Sequence, residues 1–268
     1  HTPVIAGGGD KAAGAIGANV IEEGTVMVSL GTSGVVFAPK SLYVADPKAR
    51  LHTFCDGNTQ WHVMGVILSA ASSLKWWVED IQKESYDVLL EEASQSPCGS
   101  RGLYFLPYLS GERTPHNDPY ARGTFVGLSH HHSRGDMTRA VLEGVIFALN
   151  DSFKIVKELD IPINNIRVLG GGSKNTLWLQ IMADIFGVHV EHCISSGGPA
   201  LGAALLVIRG VKGKVMNNFE SIIPIKQVLE TDKKNHQDYQ VHYAQFKKLY
   251  THLKHAFKEI SESINHYN

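Results

Sequence analysis

The sequence predicts an α/β fold in a single domain, and two segments support this prediction. Residues 25–30 and 35–38 are rich in β-branched and apolar side chains and flank a glycine-containing loop, which is typical of two antiparallel strands. Residues 166–169 form a short apolar run that ends in three glycines, followed by a helical pattern over 175–186 and a second apolar run over 188–193. An order of strand, glycine turn, helix and strand is typical of α/β proteins.

Four further segments have helical patterns. Small residues over 11–18 and 200–208 predict closely packed helices, the second with a proline at its start. Apolar residues recur at every third or fourth position over 65–93, which predicts a helix there. A long helix with one apolar face is predicted to begin at Asp136.

The two ends of the chain carry different signals. An aromatic and apolar stripe over 238–264 predicts a C-terminal helix, bounded at 236–265, that packs on the domain surface. No linker or repeat interrupts the chain, so residues 1–268 are interpreted as one domain. The first residues run directly into a glycine cluster without an initiator methionine, and we therefore expect the chain to be part of a longer protein.

The composition argues against several classes of partner. The chain has 268 residues, of which 43% are hydrophobic, and its 25 Lys and Arg against 26 Asp and Glu give a formal net charge of -1. Such a surface does not favour nucleic acid or an anionic membrane. The apolar runs are far shorter than the roughly 20 residues of a membrane-spanning helix, and no signal peptide opens the chain. Three scattered cysteines suggest neither disulfides nor a thiolate metal site, so we expect a cytoplasmic protein.

Three glycine clusters, near positions 7, 31 and 171, lie beside predicted strand ends. Glycines at such places either make tight turns or let backbone N–H groups approach a phosphate or a nucleobase. One cluster alone is most simply a turn, whereas three of the same kind favour a nucleotide site. The chain lacks the P-loop pattern, the dinucleotide-binding glycine pattern and the protein-kinase triplet D-F-G, so ATP would need another type of fold.

Asp10 follows the first glycine cluster directly. One interpretation is a helix N-cap, a position that Asp favours. The other is a general base held at a loop tip. In phosphoryl transfer the hydroxyl proton leaves late, so an ionised carboxylate aimed at the acceptor oxygen suffices for that role. At this point the sequence leaves both interpretations open.

Other residue groups have simpler interpretations. The histidine triplet at 130–132 predicts no metal site, because adjacent side chains point in different directions and no H-E-x-x-H spacing is present. Trp76 and Trp77 fall in a helical stripe and are interpreted as core residues. Arg113, in a polar loop, either pairs with an anion or stabilises that loop.

Residues 123–143, which read GTFVGLSHHHSRGDMTRAVLE, match the second signature pattern of the FGGY carbohydrate kinases at every specified position. The matching residues are Gly123, Phe125, Gly127, Leu128, Asp136, Met137, Ala140, Val141, Leu142 and Glu143. Further stretches resemble the xylulose-phosphorylating branch of this family, in the same order along the chain: GGGDKAAGAIG, SLGTSGVVFAP, WHVMGVILSAASSLKWW, PYLSGERTPHNDPYARG, GGGSKNTLWLQIMADIFG and GGPALGAALL. The resemblance covers residues 4–210.

The resemblance implies an actin-like ATPase fold of two domains, each built on a ribonuclease-H-like sheet, with the active site between them. This chain resembles the second, nucleotide-binding domain, and we expect the sugar-binding N-terminal domain to be absent from it. The implied reaction is ATP-dependent phosphorylation of a ketopentose, D-xylulose to D-xylulose 5-phosphate. The other domain would supply most of the Mg²⁺ ligands, so the isolated chain is expected to be nearly inactive.

The resemblance also assigns individual residues. Asp10 is the expected catalytic base, which takes the proton of the attacking sugar hydroxyl, and Asp10 and Lys11 are expected to contact the sugar. The residues expected at the nucleotide are Gly31 and Thr32 along the phosphates, and Gly171, Gly172 and Asn175 at the adenine. No metal ligand is expected within this chain.

One departure from the family pattern concerns the substrate. Kinases of this branch usually carry Asn directly after the catalytic Asp, whereas this chain has Lys11, which donates hydrogen bonds but accepts none. L-ribulose, L-xylulose and gluconate therefore stay open as alternative acceptors. A nucleotide-binding module with this fold but without kinase activity is a further alternative. Whether the protein forms a homodimer is also open.

Overall fold

The computed structural model of the chain describes residues 2–57, 60–193, 198–212 and 223–265. Its strands are β1 (Gly24–Leu30), β2 (Gly34–Lys40), β3 (His52–Cys55), β4 (Trp61–Ile67), β5 (Tyr104–Leu106), β6 (Thr124–Val126), β7 (Ile163–Leu169), β8 (Val190–Cys193) and β9 (Ile225–Leu229). Its α-helices are α1 (Asp10–Gly17), α2 (Ala71–Lys75), α3 (Tyr86–Ser94), α4 (Arg134–Glu158), α5 (Thr176–Phe186), α6 (Gly198–Lys212) and α7 (Lys233–Asn265).

One mixed sheet organises these elements, with the strand order β3-β4-β2-β1-β7-β8-β9. β1 pairs antiparallel with β2, which confirms the predicted hairpin, and parallel with β7 on its other side. β7 pairs parallel with β8 across α5, so the predicted unit of strand, glycine turn, helix and strand is also confirmed. Because β1 and β7 are parallel neighbours, the glycine loops that follow them lie at the same edge of the sheet.

Helices cover both faces of the sheet. Along β1, Val26, Val28 and Leu30 pack into the large core that contains α4, α5 and α7, whereas Met27 joins Ala15 of α1 in a smaller cluster on the opposite face. This alternation follows from the strand geometry, in which successive side chains point to opposite faces. The ends of β1 and β7 are therefore held between packed layers on both sides.

Helices α1 and α6 touch at the level of their backbones. A Cβ atom on Gly202 would lie 1.7 Å from the carbonyl oxygen of Ala13, and one on Gly17 would lie 2.2 Å from that of Gly198. Only glycine permits this approach. The prediction that the two small-residue segments form closely packed helices is therefore confirmed, and this packing fixes α1, whose first residue is Asp10.

The helix predicted over residues 65–93 is wrong in its first part and interrupted in its second. The segment begins inside β4, which lies between β2 and β3 and carries buried residues on both faces. A strand covered on both faces lacks the alternation that distinguishes it from a helix. After β4, α2 continues as a π-helical segment, Trp76–Gln82, which ends at Lys83 with a φ of 52°. Ser85 then caps the start of α3.

Two further boundaries differ from the prediction because side chains cap the helices. Ser133 and Asp136 form a capping box, so α4 begins two residues before Asp136. Asn175 is the N-cap of α5 and does not belong to the helix, and its Oδ1 accepts a hydrogen bond of 2.8 Å from the backbone N–H of Trp178. One oxygen of Asn175 is thus already engaged in holding the helix.

The C-terminal helix α7 packs on the large core through Tyr239, Tyr243, Phe246 and Phe257, as its stripe predicts. Ile260 was predicted to continue the stripe, but it is 49% exposed. Within the ranges that the structure describes, α7 included, no helix combines the length and apolar character needed to cross a bilayer.

Candidate active site

A pocket of about 900 Å³ lies at the edge of the sheet where β1 and β7 end. Four residues that the sequence places at a nucleotide, Thr32, Gly171, Gly172 and Asn175, line it together. Gly31 belongs to the same turn as Thr32 but does not line the pocket. The parallel pairing of β1 with β7 accounts for this meeting of two turns that are far apart in sequence.

The turn after β7 is shaped by glycines that serve different purposes. A Cβ atom on Gly170, whose φ is 94°, would lie 2.5 Å from the carbonyl oxygen of Leu30, so the two turns touch there. A Cβ atom on Gly172 would lie 2.8 Å from the Leu30 Cβ and from the Trp178 ring. By contrast, a Cβ atom on Gly171 would meet nothing within 4 Å. Gly171 therefore faces open space, where its backbone is accessible to a ligand.

The turn after β1 is held in place by its carbonyl groups. The backbone N–H of Ala71 donates to the Gly31 oxygen at 2.8 Å, and that of Ala70 donates to the Thr32 oxygen at 2.9 Å. The Ser72 hydroxyl also donates to the Thr32 oxygen, at 2.8 Å. These bonds fix the turn against the start of α2 and leave the Thr32 side chain exposed at the pocket.

An apolar wall forms one side of the pocket, from residues of α2, the π-helical segment, α3 and α5. Trp76 lines it, and its ring stacks against Phe105 at a centroid distance of 6.1 Å. Trp178 is fully buried, and its indole N–H donates to the Leu142 carbonyl at 3.0 Å, which keeps the ring in position. A rigid apolar surface of this kind suits the face of a nucleobase.

Sequence reasoning missed this wall. It assigned both Trp76 and Trp77 to the core. Trp77 is buried there, and its indole N–H donates to Thr138 at 2.9 Å. Trp76 also packs against the core, but it is only partly buried and lines the pocket as well. The available signal was the apolar spacing over 65–93, and that spacing does not distinguish a pocket wall from a core. Tyr86 and Leu90 complete the wall.

Charged side chains of both signs line the remaining part of the pocket. Lys174 lies in the turn after β7, and Lys75 lies at the end of α2, 3.8 Å from Glu79. Asp80 and Asp87 stand on the α2–α3 side. A pocket that is apolar on one side and carries two ammonium groups elsewhere can take a ligand with an apolar ring and an anionic tail.

Asp10 lies elsewhere, in the first turn of α1, and it does not line this pocket. Gly9 is the N-cap of α1, and no side chain makes a cap hydrogen bond, so the N-cap interpretation of Asp10 is wrong. The Asp10 side chain is 74% exposed, and the Lys11 ammonium lies 3.6 Å from its Oδ2. The carboxylate is therefore accessible to a ligand, with one cation beside it.

Two acidic residues of the signature pattern, Asp136 and Glu143, are buried in hydrogen-bonded networks on α4, and neither lines the pocket. The Glu143 carboxylate accepts hydrogen bonds from the Gly99 backbone at 3.0 Å and from the hydroxyls of Ser100 at 2.9 Å and Tyr239 at 2.7 Å. The Arg139 guanidinium donates to it at 2.8 Å. This network is a joint that ties α4 to α7 and to the turn after α3, and it contacts no pocket residue.

The histidine triplet and Arg113, the other residue groups considered in the sequence, do not line the pocket. In the histidine triplet, His130 and His131 are exposed and His132 is half-buried, and the His132 ring accepts a hydrogen bond of 2.9 Å from the Ser129 backbone. Across the described part of the chain, no group of three or more His, Cys, Asp or Glu side chains is arranged to hold a metal ion. Arg113 is exposed, whereas its neighbour Glu112 is buried.

Comparisons with known proteins place similar sequences among carbohydrate kinases. Residues 26–210, more than half of the chain, match the family model described as "FGGY family of carbohydrate kinases, C-terminal domain". The xylulose kinase of Escherichia coli is 40% identical over 254 residues, which are 94% of this chain and 52% of that protein. The gluconokinase of Bacillus subtilis is 32% identical over 83% of this chain and 45% of its own length.

A solved structure extends the comparison to the fold. The ligand-bound xylulose kinase of Lactobacillus acidophilus superposes with a TM-score of 0.88 at 27% identity, covering 94% of this chain and 52% of that one. The chain thus spans about half the length of the relatives it matches. The actin-like ATPase fold predicted from the sequence is confirmed, and the chain belongs to the FGGY family of carbohydrate kinases, in which it corresponds to the C-terminal domain.

Proposed function

We propose that this chain is the nucleotide-binding half of an ATP-dependent kinase that phosphorylates a ketopentose, most directly D-xylulose. The observation that carries the proposal is the pocket at the ends of β1 and β7. There, two glycine turns meet an apolar wall, and charged side chains of both signs, two of them lysines, line the remaining part. Kinases of xylulose are among the relatives most similar to the chain, which supports the choice of acceptor.

In this proposal the pocket holds ATP with its base against the part of the wall that Trp76 and Tyr86 form. Gly171 and Gly172 would present backbone to the adenine, with the amide nitrogen of Asn175 beside it, since the Asn175 oxygen is engaged with α5. Gly31 and Thr32 would lie along the phosphates. The open space beside Gly171 supports this arrangement, because it leaves room for a ligand against the main chain.

Asp10 is the proposed general base. Its exposed carboxylate would accept the proton of the sugar hydroxyl as that oxygen attacks the γ-phosphorus, and ADP would leave. Lys11, 3.6 Å from Asp10, would donate a hydrogen bond to a sugar oxygen. Mg²⁺ would neutralise charge on the phosphates, and we place most of its ligands in the other half of the kinase.

The acceptor is less restricted by the site than the nucleotide is. A lysine beside the base favours an acceptor that presents a hydrogen-bond acceptor or a negative charge at that point, and the gluconokinase of Bacillus subtilis is among the similar proteins. Gluconate, L-ribulose and L-xylulose therefore belong in the test beside D-xylulose. A coupled ADP assay with these sugars, on a full-length kinase that contains this half, would rank them.

Replacing the base gives the decisive test. In that full-length kinase we expect Asp10→Ala to lower kcat by about 10²–10⁴-fold, because no other group takes the proton. Its ADP affinity, measured by calorimetry, should equal that of the wild type, since Asp10 does not line the pocket. Glu22→Gln, an exposed carboxylate changed nearby, is the control.

Three results would contradict the proposal. Undiminished phosphorylation by Asp10→Ala would remove Asp10 from catalysis. An equal loss of ADP binding and of transfer would assign it a structural role. Sugar phosphorylation by the isolated chain at the rate of the full-length kinase would show that the other half is not needed.

A further inference from the structure

Glu112 is a buried carboxyl group that the proposed reaction leaves unused. It lies in the loop between β5 and β6, and only 2% of the residue is exposed. Its Oε1 accepts hydrogen bonds from the backbone N–H groups of Leu68 at 3.1 Å and Arg113 at 2.7 Å. Its Oε2 is buried without a hydrogen-bond partner. A buried polar atom without a partner is uncommon and calls for an explanation.

The loop that carries Glu112 is joined to the end of β4. The Thr114 backbone N–H donates to the Val66 oxygen at 2.9 Å, and the Val66 N–H donates to the Thr114 hydroxyl at 3.1 Å. The Leu68 backbone N–H in turn donates to Glu112. The loop is therefore bonded to Val66 in β4 and to Leu68, two residues further along, in the connection beyond the strand. The SGERTP stretch that the sequence singled out thus contacts the scaffold of the site.

The same connection holds the turn at the pocket. Leu68 is followed closely by Ala70 and Ala71, whose N–H groups donate to the carbonyls of Thr32 and Gly31. Residues 68–71 are therefore fixed by Glu112 at one end and fix the turn after β1 at the other. A displacement of Leu68 would be transmitted to that turn over three residues of main chain.

We propose that Glu112, in its protonated form, is a positioning residue of the nucleotide site, which it acts on through Leu68 and residues 68–71. The inference rests on the proposed function, because it takes the turn of Gly31 and Thr32 as the phosphate contact. Glu112 itself touches no pocket residue and is not a catalytic group.

The surroundings of Glu112 explain why the neutral form fits. Burial raises the pKa of Glu112 to about 8, and the charge of Asp151 on α4 acts in the same direction, while hydrogen bonds from Arg113 and Leu68 and the charge of Arg113 oppose it. Burial holds the pKa of Tyr108 well above its usual value, and the charges of Asp151 and Glu112 act in the same direction. Ionisation would place a charge on an Oε2 without a partner, which favours opening of the loop to water.

A rise in pH should weaken both the stability of the chain and its affinity for ADP. Between the ordinary pKa of a Glu and about 8, the folded chain binds more protons at Glu112 than the unfolded chain does, so its stabilising contribution is lost as the pH rises through 8. If only the neutral form positions the turn, the fraction competent to bind falls about tenfold between pH 7 and pH 9. The ADP dissociation constant should rise by the same factor.

The test compares ADP binding to this chain at the two pH values, by calorimetry, in three variants. Glu112→Gln is neutral at both and keeps an oxygen for Leu68, so we expect it to bind like the wild type at pH 7 and to lose the tenfold change. Glu112→Ala should bind ADP more weakly than the wild type at both pH values. Its Leu68 and Ala70 amide protons should also exchange with solvent faster than those of the wild type. Glu22→Gln should behave like the wild type.

Each outcome decides between the proposals. A wild-type chain that binds no ADP at either pH removes the proposed function, and this inference with it. If the change from pH 7 to pH 9 weakens ADP binding equally in the wild type and in Glu112→Gln, or weakens it in neither, the proposed function stays in place and the role of Glu112 is overturned. A Glu112→Ala chain that is only less stable, with unchanged affinity where it is folded, would assign Glu112 to folding alone.

Discussion

The first turns of α4 and the pocket between the glycine turns differ in what their characteristic residues do. On α4 the side chains are buried and hydrogen-bonded, whereas at the pocket the backbone is exposed. At α4, Glu143 and Asp136 are buried and bonded to several partners each, including Tyr239 and Ser96. At the pocket, the turns present main chain, and Gly171 has no neighbour that requires it to be glycine. The buried acidic residues of the family signature therefore hold elements of the domain together, whereas the proposed ligand contacts come largely from backbone.

Physical chemistry accounts for this difference. A buried carboxylate is stable only when fixed donors surround it, so the joint at α4 requires particular residues at particular spacings. A backbone N–H group is available in almost any residue, and the pocket needs only glycines where turns touch or a ligand approaches. A sequence pattern is consequently easier to recognise at the joint than at the pocket.

The largest effect on this comparison is expected at Glu143. Glu143→Gln leaves the buried Arg139 without its counter-charge, and breaking a buried ion pair costs about 3–5 kcal/mol of unfolding free energy. Urea denaturation measures this loss. Glu262→Gln, which breaks an exposed pair with Lys258 on α7, should cost less than about 0.5 kcal/mol. ADP affinity of the folded Glu143→Gln chain should not change, and a loss of affinity would make the joint part of the site.

The next largest effects are expected for Ala substitutions at Gly171 and Gly172, which form a matched pair because the two residues are adjacent in one turn. Gly172→Ala forces a methyl group against Leu30 and Trp178, and such overpacking costs about 1–3 kcal/mol. Gly171→Ala meets no protein atom, so stability should be retained while ADP binding weakens about tenfold, or ~1.4 kcal/mol. Thermal melting and calorimetry on both variants separate the two outcomes. Unchanged ADP binding in Gly171→Ala would remove this turn from the nucleotide site.

The smallest effect compares the N-caps of two helices, one in each region. Ser133→Ala and Ser85→Ala each remove a side-chain cap and should each cost about 1 kcal/mol in urea denaturation. Of these two helices, α3, which Ser85 caps, carries residues that line the pocket, Tyr86 among them, and α4 carries none. Ser85→Ala should therefore weaken ADP binding and Ser133→Ala should not. Equal binding by both variants would show that the apolar wall tolerates movement of α3.

Much of the fold follows from local patterns in the sequence. The hairpin of β1 and β2, the unit of β7, α5 and β8, and the long helices α4 and α7 are each marked by periodicity, by glycines or by capping residues within one segment. The glycine turns at 31 and 171 are also visible there. These features depend on the conformation of contiguous residues, so they can be recognised without knowledge of the tertiary contacts.

Long-range contacts determine which of these features lie next to one another. The end of β4 was mistaken for helix because the strand carries buried residues on both faces and so lacks a clear alternation. Trp76 lines a pocket and Trp77 lies in the core, although they are adjacent in sequence. Glu112 is buried only because its loop joins the end of β4. The order of strands places β7 beside β1 and creates the pocket, and no local pattern encodes that order, because it depends on contacts between residues far apart in the chain.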